Sequence, residues 1–424
     1  MRIDNAFRNT TRKSDVAWTI LGVLLLTHLP FGSRAYDALV TEGLSYKSYL
    51  HISGTGLAAA WVSWHVWNER IPLRSLYRNH MQWFVLLCAV YLGSAAWSIM
   101  PALTLYRTLE LLTTATLVLL IFRHAGEPSG CFVFLVYMCI AQSAAAAAIV
   151  NYQSGEWGQS IVALLRSNPG GGVASVGIVF ALFACRDQIE SKRTLLIVAS
   201  VAFILFGSLA SAIALAAAII FRAAAARASA TGTAVLLMLA FGMLVATMGV
   251  IPETAPQYLL GIFDKTSENL RSATGRVGLW RESLLFLAHR PLGGGYAAAE
   301  RLLATVSNVT SSEIWDAASS HNGYLSACMA AGPVSLTILC AFLRALWRNL
   351  GDPTHAVWRL VLVVVLVNNL AISSVGGPVD TLTVVAFGLA AIPHTSLRSL
   401  SPLSPACGFP IGSARARQMC AARR

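Results

Sequence analysis

Thr274–Gly295 reads TGRVGLWRESLLFLAHRPLGGG and, after a gap, Ser319–Leu325 reads SSHNGYL. Both pieces belong to one long polar stretch, Ile251–Ser320, in a chain otherwise built of apolar runs. That contrast decides the fold. Apolar residues are 56% of the 424 and charged residues only 12%; a soluble domain carries about twice that charge. Runs of roughly 18 or more residues without charge recur, long enough as helix to cross a bilayer core of about 30 Å. The chain is expected to be an all-α polytopic membrane protein.

Counting outward from the polar stretch gives about twelve transmembrane helices. Their centres fall near Leu24, Ala59, Ala89, Leu112, Cys139, Val173, Ala199, Leu215, Leu239, Leu336, Val364 and Phe387. The third and fourth meet at Trp97-Ser98-Ile99-Met100-Pro101, room only for a tight reversal. Thr194–Phe221 is readable as one long helix, but Gly207-Ser208 in its middle suggests a re-entrant hairpin. The organisation is then N-terminal helices over 1–250 and a loop with an amphipathic helix over 251–320. C-terminal helices follow over 321–394, and 395–424 form a Pro-, Ser-, Gly- and Arg-rich tail of the disordered class.

Lysine and arginine in short loops orient such a chain. One side collects Arg2, Arg8, Arg12 and Lys13, then Arg70, Arg74, Arg78 and Arg123, then Arg186, Lys192 and Arg193. It continues with Arg222, Arg227, Arg344, Arg348 and Arg359 and ends in the arginine-bearing tail. The opposite loops hold little more than Arg34 and Lys47. Both termini are therefore expected in the cytoplasm and 251–320 outside. This bias accounts for the net charge of +12, and without a basic stripe interleaved with aromatics no nucleic-acid partner is expected. The outer stretch has six basic residues against seven acids, so an anion site there depends on particular arginines.

The eight cysteines show no CxxC or Cys-His ligand spacing and read as small apolar fillers, with no disulfide framework, no metal and no cofactor expected. The first apolar run continues into further spans, so no cleavable signal is read. No Walker loop, dinucleotide fingerprint, Asp-x-Asp or GxSxG elbow occurs, which argues against nucleotide-sugar chemistry and serine hydrolysis.

Within the outer stretch, Ser272 or Thr274 can cap a helix that Pro291 ends near His289. Trp280, Leu284 and Leu287 share one face, with Arg276 a turn before Trp280. Such a helix can lie on the outer leaflet with Arg276 and Arg290 reaching phosphates, and Gly293-Gly294-Gly295 can offer backbone amides to an anion. His321 stands with Asn322 at the mouth of the tenth span. An imidazole with an ordinary pKa of about 6.5 suits proton transfer, and equally a hydrogen bond to headgroups. Arg107 and Glu110, three apart on the fourth span, suit an intrahelical ion pair or a cation facing a headgroup cavity. Arg166-Ser167-Asn168-Pro169 and three glycines open the sixth span, where they would break the helix; Asn368, Asn369 and Asp380 read as structural contacts between helices.

Taken in order, these pieces resemble the O-antigen ligase and polymerase superfamily. The resemblance rests on Gly275-Arg276, Trp280, Arg290-Pro291-x-Gly293-x-Gly295, His321-Asn322-x-Tyr324-Leu325, Gly332 and, earlier, Trp97-Ser98-x-x-Pro101. It implies a type C glycosyltransferase fold in a bacterial inner membrane, with one large periplasmic loop. It also implies an undecaprenyl-diphosphate-linked oligosaccharide donor, an acceptor glycan, and direct inverting transfer without a metal. Carried over, Arg276 would neutralise the diphosphate and His321 would activate or orient the acceptor. Arg290 would be a secondary cation, with Trp280, Asn322, Arg107 and Arg166 about the substrate.

The chain departs from the family in two places. Ser208-Leu209-Ala210-Ser211 stands where many relatives carry Ser-Arg, and Ser167-Asn168 where they carry Lys-Asn or His-Asn. Arg107 and Arg166 can supply the missing charge. The segment from Thr274 to Asn322 resembles exopolysaccharide polymerases most, so a polymerase of lipid-linked repeat units is expected, partnered by a chain-length regulator and a flippase of its pathway. An O-antigen ligase acting on lipid A core is the near alternative. A lipid-linked glycan transporter or flippase is the alternative of another class, although the two internal halves typical of transporters are absent.

Overall fold

The computed structural model describes residues 46–125, 127–153, 165, 167–184, 192–225, 276–301, 321–350 and 356–392. The expected spans near Leu24 and Leu239, Arg166, residues 251–275 and 302–320, and the tail lie outside them. The described chain is helical, with no strand among the described residues. In order come α1 (Tyr46–Asn68), the single turn α2 (Leu73–Leu76), α3 (His80–Gly93), α4 (Pro101–Ala125), α5 (Pro128–Gln153) and α6 (Asn168–Phe183). Then follow α7 (Lys192–Phe206), α8 (Leu209–Ala225), α9 (Arg276–His289), α10 (Gly323–Asn349), α11 (Ala356–Asn368) and α12 (Thr381–Ala391). Among the described helices, Pro101–His124, Pro128–Ala148 and Gly323–Asn349 are long and apolar enough to cross a membrane, and five shorter apolar helices accompany them.

The outward surface is apolar as well as the interior. In α7, Leu195, Ala199, Ala202 and Phe206 are buried while Ile197, Val201 and Ile204 are exposed, each set at helical spacing. A helix that is apolar all round fits a lipid surround and not water. The centre is held by α6 and α12, whose stretches Gly170–Ala181 and Thr381–Ala391 are buried residue by residue. Small residues allow the closest approaches: a Cβ on Gly177 would lie 2.9 Å from Ala199 Cβ, and one on Gly388 would lie 2.6 Å from Leu135 Cδ2. Close backbone approach through small residues is how helices associate without a hydrophobic drive between them.

The helices alternate in direction. His51 meets Glu110 and His65 meets His124, so α1 runs parallel to α4. Buried His80, at the start of α3, bonds through Nε2 to the Ala390 carbonyl (2.8 Å) and through Nδ1 to Asn349 Nδ2 (2.7 Å), joining the ends of α10 and α12. Gly207, at φ +55°, separates α7 from α8. From there α8 runs back, since Ser175 Oγ donates to the Ser211 carbonyl near one end and Phe221 meets Trp347 near the other. Two helices therefore occupy Thr194–Phe221. One end of the bundle consequently carries Arg70, Arg74, Arg78, Arg123, Lys192, Arg193, Arg222, Arg344, Arg348 and Arg359. The other carries the turns and irregular segments.

One expectation is corrected here. Pro169 and its glycines start a helix instead of breaking one. Ser167 caps α6 by accepting from the Gly170 amide at 3.1 Å, and Pro169 occupies the first turn, where its missing N–H costs nothing. The glycines lie inside the helix because neighbours press on it. A Cβ on Gly171 would lie 2.6 Å from Ser208 Cβ, and one on Gly172 would lie 3.1 Å from Leu382 Cδ2.

Candidate functional site

At the arginine-poor end the chain is held together by non-helical backbone. The turn after α3, the Gly207-Ser208 break, residues 290–301, the head of α10 and residues 369–380 all meet there.

Residues 293–301 form the keystone. Pro333, within α10, has no N–H, so the Met329 carbonyl four residues earlier lacks its helical partner. Ala331 and Gly332 leave helical geometry at this point, Gly332 at φ +72°. The Gly294 amide replaces the lost donor to Met329 O at 2.9 Å, and the Gly295 amide donates to Ala330 O at 3.0 Å. Gly293 N donates to Arg290 O at 2.8 Å. All three amides of the triplet have carbonyl partners, so the expectation that they cradle an anion is replaced by a joint with α10. Ser335 Oγ covers the remaining break, donating toward Ala327 O and Gly332 O.

The same segment docks on the turn after α3. Trp97 Nε1 donates to Leu292 O (2.9 Å), Ile99 N to Gly294 O (3.2 Å) and Thr104 Oγ1 to Tyr296 O (3.2 Å). Tyr296 stacks on Tyr91 with ring centroids 4.2 Å apart, and its hydroxyl donates to Gly377 O at 2.6 Å. The two pieces Trp97-Ser98-x-x-Pro101 and Gly293-x-Gly295, far apart in sequence, are one contact.

His321 and Asn322 head α10. Asn322 is its N-cap: Oδ1 accepts from Tyr324 N and Leu325 N, each at 3.1 Å. Asn322 N donates to Ser373 Oγ at 3.0 Å, tying the cap to the segment before α12. His321, half-buried, has φ +48°, in the left-handed region that costs a residue with a Cβ about 1–2 kcal/mol. One turn on, Ser326 Oγ donates to Glu300 and lies 3.0 Å from Ser373 Oγ.

The far wall is α4. Arg107 Nη1 donates to Glu110 Oε2 at 2.8 Å, and Glu110 Oε1 is 2.7 Å from His51 Nε2 on α1. The guanidinium also sits over the Tyr106 ring, 5.6 Å from its centroid. The intrahelical ion pair is therefore present, Glu110 is 1% exposed, and a histidine extends it. Asn368, Asn369 and Asp380 take structural roles. Ser211 Oγ donates to Asn368 Oδ1, the Asn369 amide group clasps both backbone atoms of Val375, and Asp380 caps α12 through a reciprocal bond with Thr383.

Helix α9 spans Arg276–His289 and packs on α10, ending where Pro291 allows no further turn. Its buried stripe is Leu279 and Ser283, continued by partly buried Phe286 and Leu287, which meet Ala299, Met329 and Leu325. Leu284 is exposed. The inward face is thus turned from the Trp280–Leu284–Leu287 face read in the sequence, because contact with α10 sets it. Trp280 is half-buried and the Arg290 side chain exposed. Arg276 is placed at the first turn of α9; Arg166 lies outside the described residues.

The structure thus joins His321, Asn322 and the Arg290–Gly295 segment about α10, with Trp97–Pro101 beside them and the Arg107 pair on α4. Sequence reading missed Glu300 and Arg301, counted among the loop charges yet 4% and 5% exposed, and Ser326 and Ser373. Glu300 and Arg301 stand within six residues of the glycine triplet, and Ser326 four residues after Asn322; Ser373 carries no such signal.

Residues 194–340 match the family model described as O-antigen ligase, about a third of the chain, which supports the O-antigen ligase and polymerase superfamily. No curated protein matches the chain. The matched residues contain Arg276, Trp280, Arg290, His321 and Asn322, whereas Arg107 and Arg166 precede them.

Proposed function

We propose that this protein polymerises undecaprenyl-diphosphate-linked oligosaccharide repeat units at the outer face of a bacterial inner membrane, forming exopolysaccharide or O-antigen. The observation that carries the reading is the O-antigen ligase match enclosing Arg276, Arg290 and a conformationally constrained His321, on a membrane-type helical bundle. The acceptor hydroxyl oxygen attacks the anomeric carbon, the bond from that carbon to the phosphate oxygen breaks, and the diphosphate lipid leaves. The hydroxyl proton passes to His321 and then to solvent. Negative charge grows on the leaving diphosphate, so guanidinium groups stabilise the transition state more than the ground state. Arg276 takes that role, Arg290 at the opposite end of α9 is a secondary cation for the substrate, and a single displacement inverts the anomeric centre.

Trp280 and Asn322 border the donor in this scheme, and Arg107 and Arg166 offer charge where relatives carry it elsewhere. A chain-length regulator and a flippase complete the pathway. The ligase reading, favoured by the matched family's own description, uses the same donor chemistry with lipid A core as acceptor.

The test is a profile of lipid-linked glycans in cells lacking the protein, complemented with wild type or His321→Ala at matched membrane levels. Single repeat units accumulating in the null and His321→Ala strains, with long chains restored by wild type, support the polymerase. Accumulating long lipid-linked chains support the ligase. A wild-type profile from His321→Ala removes the catalytic assignment and favours a transporter.

A further inference from the structure

At the arginine-rich end, opposite the candidate site, three ligand-type side chains point at one place. His65 is in the last turn of α1, Glu69 follows its final residue with its amide still donating to the His65 carbonyl at 3.0 Å, and His124 stands near the end of α4. His65 Nε2 is 2.9 Å from His124 Nε2 and 3.2 Å from Glu69 Oε1; His124 Nε2 is 3.3 Å from Glu69 Oε2. His-x-x-x-Glu on a helix puts both groups on one face, the spacing helical metal sites use. We propose that His65, Glu69 and His124 bind one divalent transition-metal ion of the zinc class, fastening α1 to α4.

Two arguments carry this. The first is geometric. Tetrahedral zinc with metal–donor distances of about 2.0–2.1 Å holds its donors about 3.3 Å apart; here the imidazole nitrogens are 2.9 Å apart and the carboxylate reaches them with its two oxygens at 3.2 and 3.3 Å, with one donor atom per residue falling within 4.8 Å of the others. The second concerns protons. One proton between the two Nε2 atoms makes a single His–His hydrogen bond and leaves one ring with only a lone pair toward the carboxylate. Protons on both nitrogens set two N–H groups head-on. A cation accepts all the lone pairs at once.

The surroundings suit such a site. The Trp61 ring stacks on His65, centroids 4.8 Å apart and 8° from parallel, which fixes the imidazole. His65 is buried while Glu69 is 36% exposed, leaving a fourth position toward solvent for water. Two imidazoles and one carboxylate select zinc, cobalt or nickel over magnesium or calcium.

The test uses the full chain purified in detergent and stripped with a chelator. Equilibrium dialysis with metal analysis is expected to give one zinc per chain, and cobalt is expected to give the intense visible bands of a tetrahedral site. Glu69→Gln and His124→Gln, checked as monodisperse, should each weaken binding at least tenfold, while His289→Gln on α9 should not. No stoichiometric zinc in wild type, or unchanged binding in Glu69→Gln and His124→Gln, overturns the proposal. None of these readouts involves glycan transfer, so failure here leaves the proposed activity as it was.

Discussion

Gly294 N lies 2.9 Å from Met329 O, the carbonyl that Pro333 deprives of its helical donor. A break in one helix is thereby mended by a segment that precedes it by thirty-odd residues. The neighbouring Gly295 has φ +100°, and a Cβ there would sit 2.1 Å from Ser98 Oγ and 2.7 Å from Thr104 Oγ1. Gly295→Ala is expected to destabilise the protein by about 2–4 kcal/mol through overpacking and backbone strain. Thermal unfolding in detergent checks this; an unchanged midpoint would mean that the joint contributes little.

The positive φ of His321 separates stability from activity. Alanine there keeps the strain and glycine relieves it, so His321→Gly should be more stable than His321→Ala by about 1 kcal/mol. Both should lack transfer if the imidazole moves the proton. Melting curves and repeat-unit transfer, measured on the same preparations, read the two properties apart.

Arg107 and Glu110 test the value of a buried pair. Removing Arg107 alone leaves the Glu110 carboxylate, 1% exposed, with His51 as its remaining charged neighbour, at an expected cost below the roughly 3–5 kcal/mol of a wholly unpaired buried charge. Arg107→Met with Glu110→Gln should recover most of the folded yield. In the proposed role Arg107 also meets the lipid headgroup, so the double variant should fold yet transfer slowly. Wild-type transfer by that variant would assign the pair to structure alone.

Asn322 has a local duty that a substitution series isolates. Asn322→Ala should cost about 1 kcal/mol of stability through loss of the cap on α10, whereas aspartate or serine retains an acceptor for Tyr324 N and Leu325 N. Transfer that survives in Asn322→Ser but falls in Asn322→Ala identifies capping as the requirement. A fall in both identifies a contact of the amide with substrate.

Features set by near neighbours were legible in the sequence. Gly207-Ser208 parted two helices and Arg107 paired with Glu110 three residues on. Features set by distant partners were not. The triplet Gly293–Gly295 looked like an amide cradle because nothing nearby reveals that Met329 and Ala330 receive two of its three amides. Glu300 counted as a loop acid because Ser326, its partner, lies beyond the long outer stretch. His51 showed no reason to meet Glu110, nor His65 to meet His124, until α1 and α4 were laid side by side. The face of α9 was misread for the same reason: two windows of apolar residues compete on it, and α10 chooses.

Asn369 holds two amides at once, taking Gly323 N on its backbone oxygen at 2.8 Å and Val375 N on its side-chain oxygen at 2.7 Å. A Cβ on Gly323 would come within 2.1 Å of that side-chain oxygen, so the three residues are locked as a unit. Deuterium should therefore enter the Gly323 and Val375 amides at matching rates, in one opening event that also frees the head of α10. A single asparagine would then set how long the head of α10, next to His321, stays in place.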